Sequence, residues 1–225
     1  MSIKTFMLLA AGRGNRMEHL TKNLPKPLLD FHGKALIEWH LEKLANLGIE
    51  DLVINVSYLP EKIKAFIDHG KKWHLNVSFS EENPVLETAG GIKNALHLIK
   101  TDPFVVINAD IYTHYNYLKL INFNLPKDKK ACLFFVPNPE HNLKGDYSMD
   151  LKGNVIKKIN DDSKTFAGIG IYRKCFFNDV PTNSFYKLAT LLESEIDKNN
   201  VCGEKIEDFW LDIGTPERLM SPILK

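Results

Sequence analysis

Leu9-Ala10-Ala11-Gly12-Arg13-Gly14-Asn15-Arg16-Met17 follows directly on an apolar run over residues 5–11, and Pro25-Lys26-Pro27-Leu28 comes shortly after it. Small residues after a strand let the backbone come close to a ligand, and successive N–H groups there form a nest for an anion. The loop is not a dinucleotide fingerprint, because Met17 takes the third glycine position of G-x-G-x-x-G. It is not a P-loop either, because no Gly-Lys-Ser/Thr follows. Arg16 sets a planar cation beside the loop, and Lys26 adds a second on a stiff, proline-bracketed segment. A lone Gly-x-Gly would be a turn with surface charges around it. Two cations at this spacing instead favour binding and polarising a triphosphate.

Outward from this loop, the first half alternates strand-like and helix-like segments. Residues 35–47 have helical spacing (Leu36, Ile37, Leu41, Leu44, Leu47) ended by Gly48. Residues 52–56 and 75–79 suit strands. Between them, residues 60–69 suit a helix opened by Pro60 and closed by Gly70. Thr88 is positioned to cap a helix over residues 90–100, and residues 104–108 form another buried strand. Strands alternating with helices predict right-handed crossovers and a mainly parallel sheet covered on both faces, an α/β fold of Rossmann-like type. Beyond residue 125 the pattern turns β-rich, with strands over 131–136, 147–151, 155–159 and 166–172 and a hairpin turn at Lys152-Gly153-Asn154. A helix over 185–197, a strand over 209–213 and a Thr215-Pro216 helix start complete the chain. The expectation is one domain, residues 1–225, with a nucleotide-binding half up to about 125 and an acceptor half beyond it.

The 225 residues carry 29 Lys+Arg against 28 Asp+Glu, and 44 % are apolar. The length is short for a TIM barrel, and the near-neutral charge gives no support to a bulk nucleic-acid binder. No apolar run reaches the roughly 20 residues of a membrane helix, and no signal peptide is recognisable. Cys132, Cys175 and Cys202 are odd in number and widely spaced, which suits reduced thiols in a cytoplasmic protein. The histidines show no metal-ligand spacing.

Two acids stand at strand ends. Asp110 follows the strand over 104–108 at its carboxyl end, where open α/β sheets place ligands. Asp212 lies in the last strand beside Trp210 and Gly214. Brought together before a polyphosphate, two such carboxylates suit a hard cation such as Mg²⁺. Taken singly, Asp110 could equally be a helix cap and Asp212 an exposed turn acid.

The glycine loop, Pro25-Lys26-Pro27-Leu28, Leu86-Glu87-Thr88-Ala89-Gly90-Gly91, Asn108-Ala109-Asp110 and Trp210-Leu211-Asp212-Ile213-Gly214-Thr215 occur in one order across nearly the whole chain. Together they resemble the signature of the sugar-phosphate nucleotidyltransferases. The resemblance implies that a sugar 1-phosphate attacks the α-phosphate of a nucleoside triphosphate and releases pyrophosphate. It implies that Ala11, Gly12, Arg13 and Gly14 cradle the triphosphate, with Arg16 on the leaving pyrophosphate and Lys26 on the reacting phosphates. Asp110 and Asp212 would hold Mg²⁺. Thr88 and Gly90 would line the nucleotide site, although a helix cap and small-residue packing explain that block equally well. Asn108, Gly145 and Asp161 would contact the sugar. The chain departs from the family at Ala109, where many relatives carry Gly. It departs again at Asn160-Asp161-Asp162-Ser163-Lys164, where relatives often carry Glu-Lys-Pro.

Within the family the blocks are most similar to the uridylyltransferases acting on N-acetylmuramate 1-phosphate in cell-wall recycling, which implies UTP as donor. Mannose-1-phosphate guanylyltransferases and glucose-1-phosphate thymidylyl- or uridylyltransferases share the same blocks. The alternative of another class is a nucleotide-binding regulator that has lost catalysis. The chain ends soon after the last motif, so no appended acetyltransferase domain is expected. A monomer or small homo-oligomer is expected, with no nucleic-acid or membrane partner.

Overall fold

The computed structural model describes residues 2–158 and 162–223. The main sheet is built from β1 (Thr5–Leu9), β4 (Asp51–Val56), β5 (Asn76–Glu81), β6 (Phe104–Asn108), β8 (Ala131–Val136), β11 (Thr165–Tyr172) and β12 (Val201–Lys205). Its order is β12-β8-β11-β6-β1-β4-β5. Every pairing is parallel except those of β11, which runs against both β6 and β8. Three small ribbons flank it: β2 (Asp30–Phe31) with β3 (Lys34–Ala35), β7 (Ile111–Thr113) with β13 (Trp210–Asp212), and β9 (Ser148–Met149) with β10 (Val155–Ile156). The helices are α1 (Leu36–Asn46), α2 (Pro60–Ile67), α3 (Glu87–Ala95), α4 (Leu118–Ile121), α5 (Leu188–Asp197) and α6 (Pro216–Leu219).

The near-continuous apolar strands are explained by burial on both faces. Phe6 and Leu8 point into one core with Ile37, Leu41 and Leu44 of α1, while Met7 points into the other with Ile92 of α3 and Leu191 and Leu192 of α5. The same alternation separates Val105 and Ile107 from Val106, as the two-residue period of a strand requires. A third cluster, Met17, Leu29, Phe31, Leu36, Tyr112 and Ile213, anchors the loops above the strand ends.

Several expectations need correction. The helix expected over 60–69 stops at Ile67, because Asp68 and His69 take left-handed backbone; Gly70 lies within the short 3-10 helix that follows. The helix expected over 90–100 starts at Glu87 and ends at Ala95, and Thr88 sits inside its first turn without capping it. The turn at residues 152–154 forms as expected, with the Asp150 carboxylate accepting from the Lys152 and Asn154 N–H groups, each at 2.8 Å. The strand expected over 147–151 consequently shrinks to two residues. Edge strand β12 and the pairing of β7 with β13 were not anticipated. Among the described residues no helix is long and apolar enough to cross a membrane.

Candidate active site

The strand order reverses around β1, whose neighbours are β4 on one side and β6 on the other. Carboxyl ends of strands at such a reversal form a crevice. Here the loop after β1 and the turn after β6 stand side by side, tied by Ala109 N–H donating to the Leu9 carbonyl at 3.1 Å. A cavity of about 240 Å³ opens between them, lined by Ala11, Gly12, Lys26, Thr88, Asn108 and Asp110 among others.

Its floor is a buried polar brace. Ala10 N–H donates to Asn55 Oδ1 at 2.8 Å, and Asn55 Nδ2 donates to Glu82 Oε1 at 2.7 Å. Glu82 Oε2 accepts from the Leu86 N–H at 2.8 Å. Burial pushes the Glu82 carboxyl above its ordinary pKa, against the hydrogen bonds that favour its charged form. Gly91 makes room for it: a β-carbon there would strike the Glu82 carboxylate.

Gly14 has φ +68 and opens the short 3-10 helix Asn15–Thr21. A β-carbon on Gly14 would meet the Lys26 β-carbon at 3.0 Å, so the glycine allows Lys26 to pack against the loop. Lys26 is almost fully buried and forms an ion pair with Asp110. Arg13 leaves the loop and lies over the Tyr58 ring, 5.3 Å from its centre. Arg16 lies on the far side and lines a second cavity of about 340 Å³, together with Asn108, Asp110, His141 and Asp212.

Asp212 thus shares a cavity with Asp110. Its Oδ2 accepts from Arg218 Nη1 at 2.9 Å and lies 3.4 Å from His141 Nε2. Burial and the neighbouring Arg218 charge lower the His141 pKa. Thr215 caps α6, its hydroxyl accepting from the Arg218 N–H, and this short helix turns Arg218 back toward Asp212. Gly214 leaves room for this arrangement. A β-carbon there would collide with the Arg218 guanidinium and come within 3.0 Å of that of Arg16.

Asn108 lines both of these cavities and a third, larger one of about 740 Å³. It owes its room to Gly168, where β11 bulges between Phe166 and Gly170 at φ +71; a β-carbon there would sit 2.8 Å from Asn108 Nδ2. The third cavity is lined by Thr88, Gly145, Tyr147, Phe166 and the start of α5.

The sequence-predicted residues therefore divide. Ala11, Gly12, Lys26, Thr88, Asn108, Gly145, Asp110, Asp212 and Arg16 line one or another of three cavities that meet at Asn108. Gly14 acts through Lys26. Gly90 faces protein: its β-carbon would clash with the Ser184 carbonyl, and its N–H donates to the Tyr186 carbonyl at 3.1 Å. Asp161 lies outside the described residues. Sequence reasoning gave no role to Asn55, Glu82, His141 or Arg218. An Asn at the end of an apolar strand, with a Glu just past the next strand, was the signal available for the first two.

No group of three or more His, Cys, Asp or Glu side chains is arranged to hold a metal among the described residues. Two carboxylates on one cavity are nevertheless the donor set expected of Mg²⁺, which takes its remaining oxygens from phosphates and water.

Residues 5–224 match the sequence profile of the nucleotidyl transferase family. The chain belongs to that family. As a nucleotidyltransferase it is 42% identical over 217 residues to the N-acetylmuramate alpha-1-phosphate uridylyltransferase of Neisseria meningitidis serogroup B, covering 95% of this chain and 94% of that one. It is 29% identical to a mannose-1-phosphate guanyltransferase of Saccharomyces cerevisiae, covering 96% of this chain but 62% of the yeast protein. Among solved structures, HddC from Yersinia pseudotuberculosis complexed with GMP-PN superposes with a TM-score of 0.77 at 25% identity, covering 97% of this chain and 96% of that one. The inositol-1-phosphate CTP transferase from T. maritima shares the fold at a TM-score of 0.80 and 17% identity, covering 98% of this chain and 93% of that one.

Proposed function

We propose that this enzyme transfers a uridylyl group from UTP to N-acetylmuramate 1-phosphate, giving UDP-N-acetylmuramate and pyrophosphate. The carrying observation is the buried Lys26–Asp110 ion pair where the glycine loop meets the cavity shared with Asp212. The choice of UTP and of the muramyl sugar is supported by the near-full-length likeness to the Neisseria enzyme.

A phosphomonoester has a second pKa of about 6, so near neutral pH it is mostly a dianion and already nucleophilic. No side chain needs to remove a proton from it. What remains for the protein is in-line positioning and neutralisation of charge. The backbone of Ala11, Gly12 and Gly14 binds the triphosphate. Lys26, held in place by Asp110, donates to the reacting phosphates. Arg16 offers its guanidinium to the departing pyrophosphate. Asn108, between the cavities, orients the acceptor toward the α-phosphate, and Gly145 borders the sugar. Asp110 and Asp212 fit a magnesium ion, which when bound adds positive charge and a template for phosphate oxygens.

In this reading the two halves of the chain act as one catalytic unit, a monomer or small homo-oligomer in the cytoplasm serving cell-wall recycling. The test is pyrophosphate release from a panel of nucleoside triphosphates and sugar 1-phosphates. UTP with N-acetylmuramate 1-phosphate is expected to be the best pair. Preference for GTP with mannose 1-phosphate would overturn the substrate assignment, and tight triphosphate binding without turnover of any pair would indicate a regulator.

A further inference from the structure

Asp110 and Asp212 reach their common cavity in the same state of partial engagement. Lys26 takes Asp110 Oδ2, and Arg218 Nη1 donates to Asp212 Oδ2 at 2.9 Å. His141 Nε2 approaches that same Asp212 oxygen, at 3.4 Å. Among the described residues no hydrogen bond or ion pair reaches Oδ1 of either acid. Each carboxylate thus has one oxygen fixed by a cation and the other left for a ligand.

Arg218 is not a wall residue of this cavity. Its side chain is 14 % exposed and packs against Gly214. Beside the same glycine stands Arg16, which lines the cavity and makes no hydrogen bond or ion pair among the described residues. Two effects of Arg218 on a bound cation oppose each other. Its charge repels the cation, and its hydrogen bond orients the acid that would hold it. The bare Arg16 guanidinium decides between them. An Asp212 released from Arg218 can pair with Arg16 instead, because carboxylate and guanidinium form a strong charge-assisted contact. That turn would leave the positive charge beside the acid in place while withdrawing Asp212 from the cation and Arg16 from the phosphates.

Resting on the nucleotidyl-transfer reading above and on Asp212 as a holder of magnesium, we infer that Arg218 is a positioning residue. It keeps Asp212 off Arg16 and turns Oδ1 of the acid toward the cation, with His141 as the second contact on the fixed oxygen. Partners that orient a metal-binding carboxylate in this way typically change metal affinity by about 10–100-fold when removed.

The test uses Arg218→Met, which keeps the bulk of the side chain and removes its charge, and Arg218→Lys, which keeps the charge without the fork. Two quantities are read. One is the Mg²⁺ concentration that gives half-maximal pyrophosphate release at saturating UTP. The other is the chelator-sensitive part of the Tm rise produced by UTP at a fixed, sub-saturating Mg²⁺ concentration. The second needs no turnover, and referring it to each variant's own ligand-free Tm removes any general loss of stability. In Arg218→Met the half-maximal Mg²⁺ concentration is expected to rise by about tenfold and the chelator-sensitive shift to shrink. Arg218→Lys is expected to change both in the same direction by a smaller factor, and it carries the test if Arg218→Met does not fold. An unchanged or lower Mg²⁺ requirement in the folded variant overturns the inference, as does a wild-type UTP shift that ignores the chelator. Absence of wild-type turnover with every sugar phosphate overturns the nucleotidyl-transfer reading instead, and the Tm readout still decides the role of Arg218.

Discussion

Lys26 shows how far a single side chain can be followed from sequence to role. Its flanking prolines hold it on a short 3-10 turn, Gly14 lets it press against the loop, and Asp110 balances its charge. Removing one such donor from a transition state typically costs about 10²-fold or more in turnover. Lys26→Ala is therefore expected to lower kcat to that extent in a pyrophosphate-release assay, and near-normal turnover with intact UTP binding would remove Lys26 from the reaction. Lys26, Asp110 and Asp212 stand out in the sequence only through the ordered set of blocks they belong to, since each acid alone could equally be a helix cap or a turn acid. The role of Gly90 was not legible, because the same glycine that could admit a base also admits the Ser184 carbonyl, and only the fold decides between them. Glu82 and Arg218 escaped for a related reason. Their partners, Asn55 and Asp212, are chosen by three-dimensional proximity, which no local spacing encodes.

At the scale of elements, the site depends on braces between strands that do not touch the substrate. Asn55 joins the loop after β1 to the segment after β5 and is 4 % exposed. Asn55→Ala would leave the Ala10 N–H and a Glu82 oxygen without their partner, at a cost of about 1–3 kcal/mol for each buried group. Urea unfolding should register the loss, and UTP binding should weaken because the loop is no longer held. A second brace runs from α1 to the strand after Asp110. Lys43 donates to the Thr113 carbonyl, and His40 Nδ1 shares a hydrogen bond with the Tyr117 hydroxyl at 2.8 Å. Burial, reinforced by the Lys43 charge, pushes the His40 pKa from 6.5 down to about 4. The unfolded chain then binds the proton more readily, so stability falls as pH drops from about 6.5 toward 4, by about 3 kcal/mol in total. His40→Gln is expected to flatten that part of the curve when unfolding is compared at pH 7 and pH 4.5. An unchanged pH slope in the variant would show that other groups govern acid sensitivity.

For the whole molecule, the alternating first half was readable because each buried parallel strand is an apolar run and each helix has its own period. In the second half β8, β11 and α5 were readable in the same way, but β12 was not, because it carries Gly203, Glu204 and Lys205 and gains strand character only by pairing with β8. The ribbon of β7 and β13 joins residues about a hundred positions apart and leaves no local trace, yet it is what carries Asp212 toward Asp110. A ligand that bridges these parts should stabilise all of them at once. UTP with Mg²⁺ at a hundred times its dissociation constant adds about 2.7 kcal/mol to the native state. That is expected to raise Tm by about 5–10 °C for a chain of this size. A chelator should remove most of the shift, and a shift insensitive to chelation would argue against Asp110 and Asp212 as the ion's holders.

Arg16 and Arg218 both pass over the α-carbon of Gly214, so the opening loop and the closing helix interlock at one point. Side chains about two hundred positions apart thus share the space over one α-carbon, and a methyl group added there would have to displace a guanidinium.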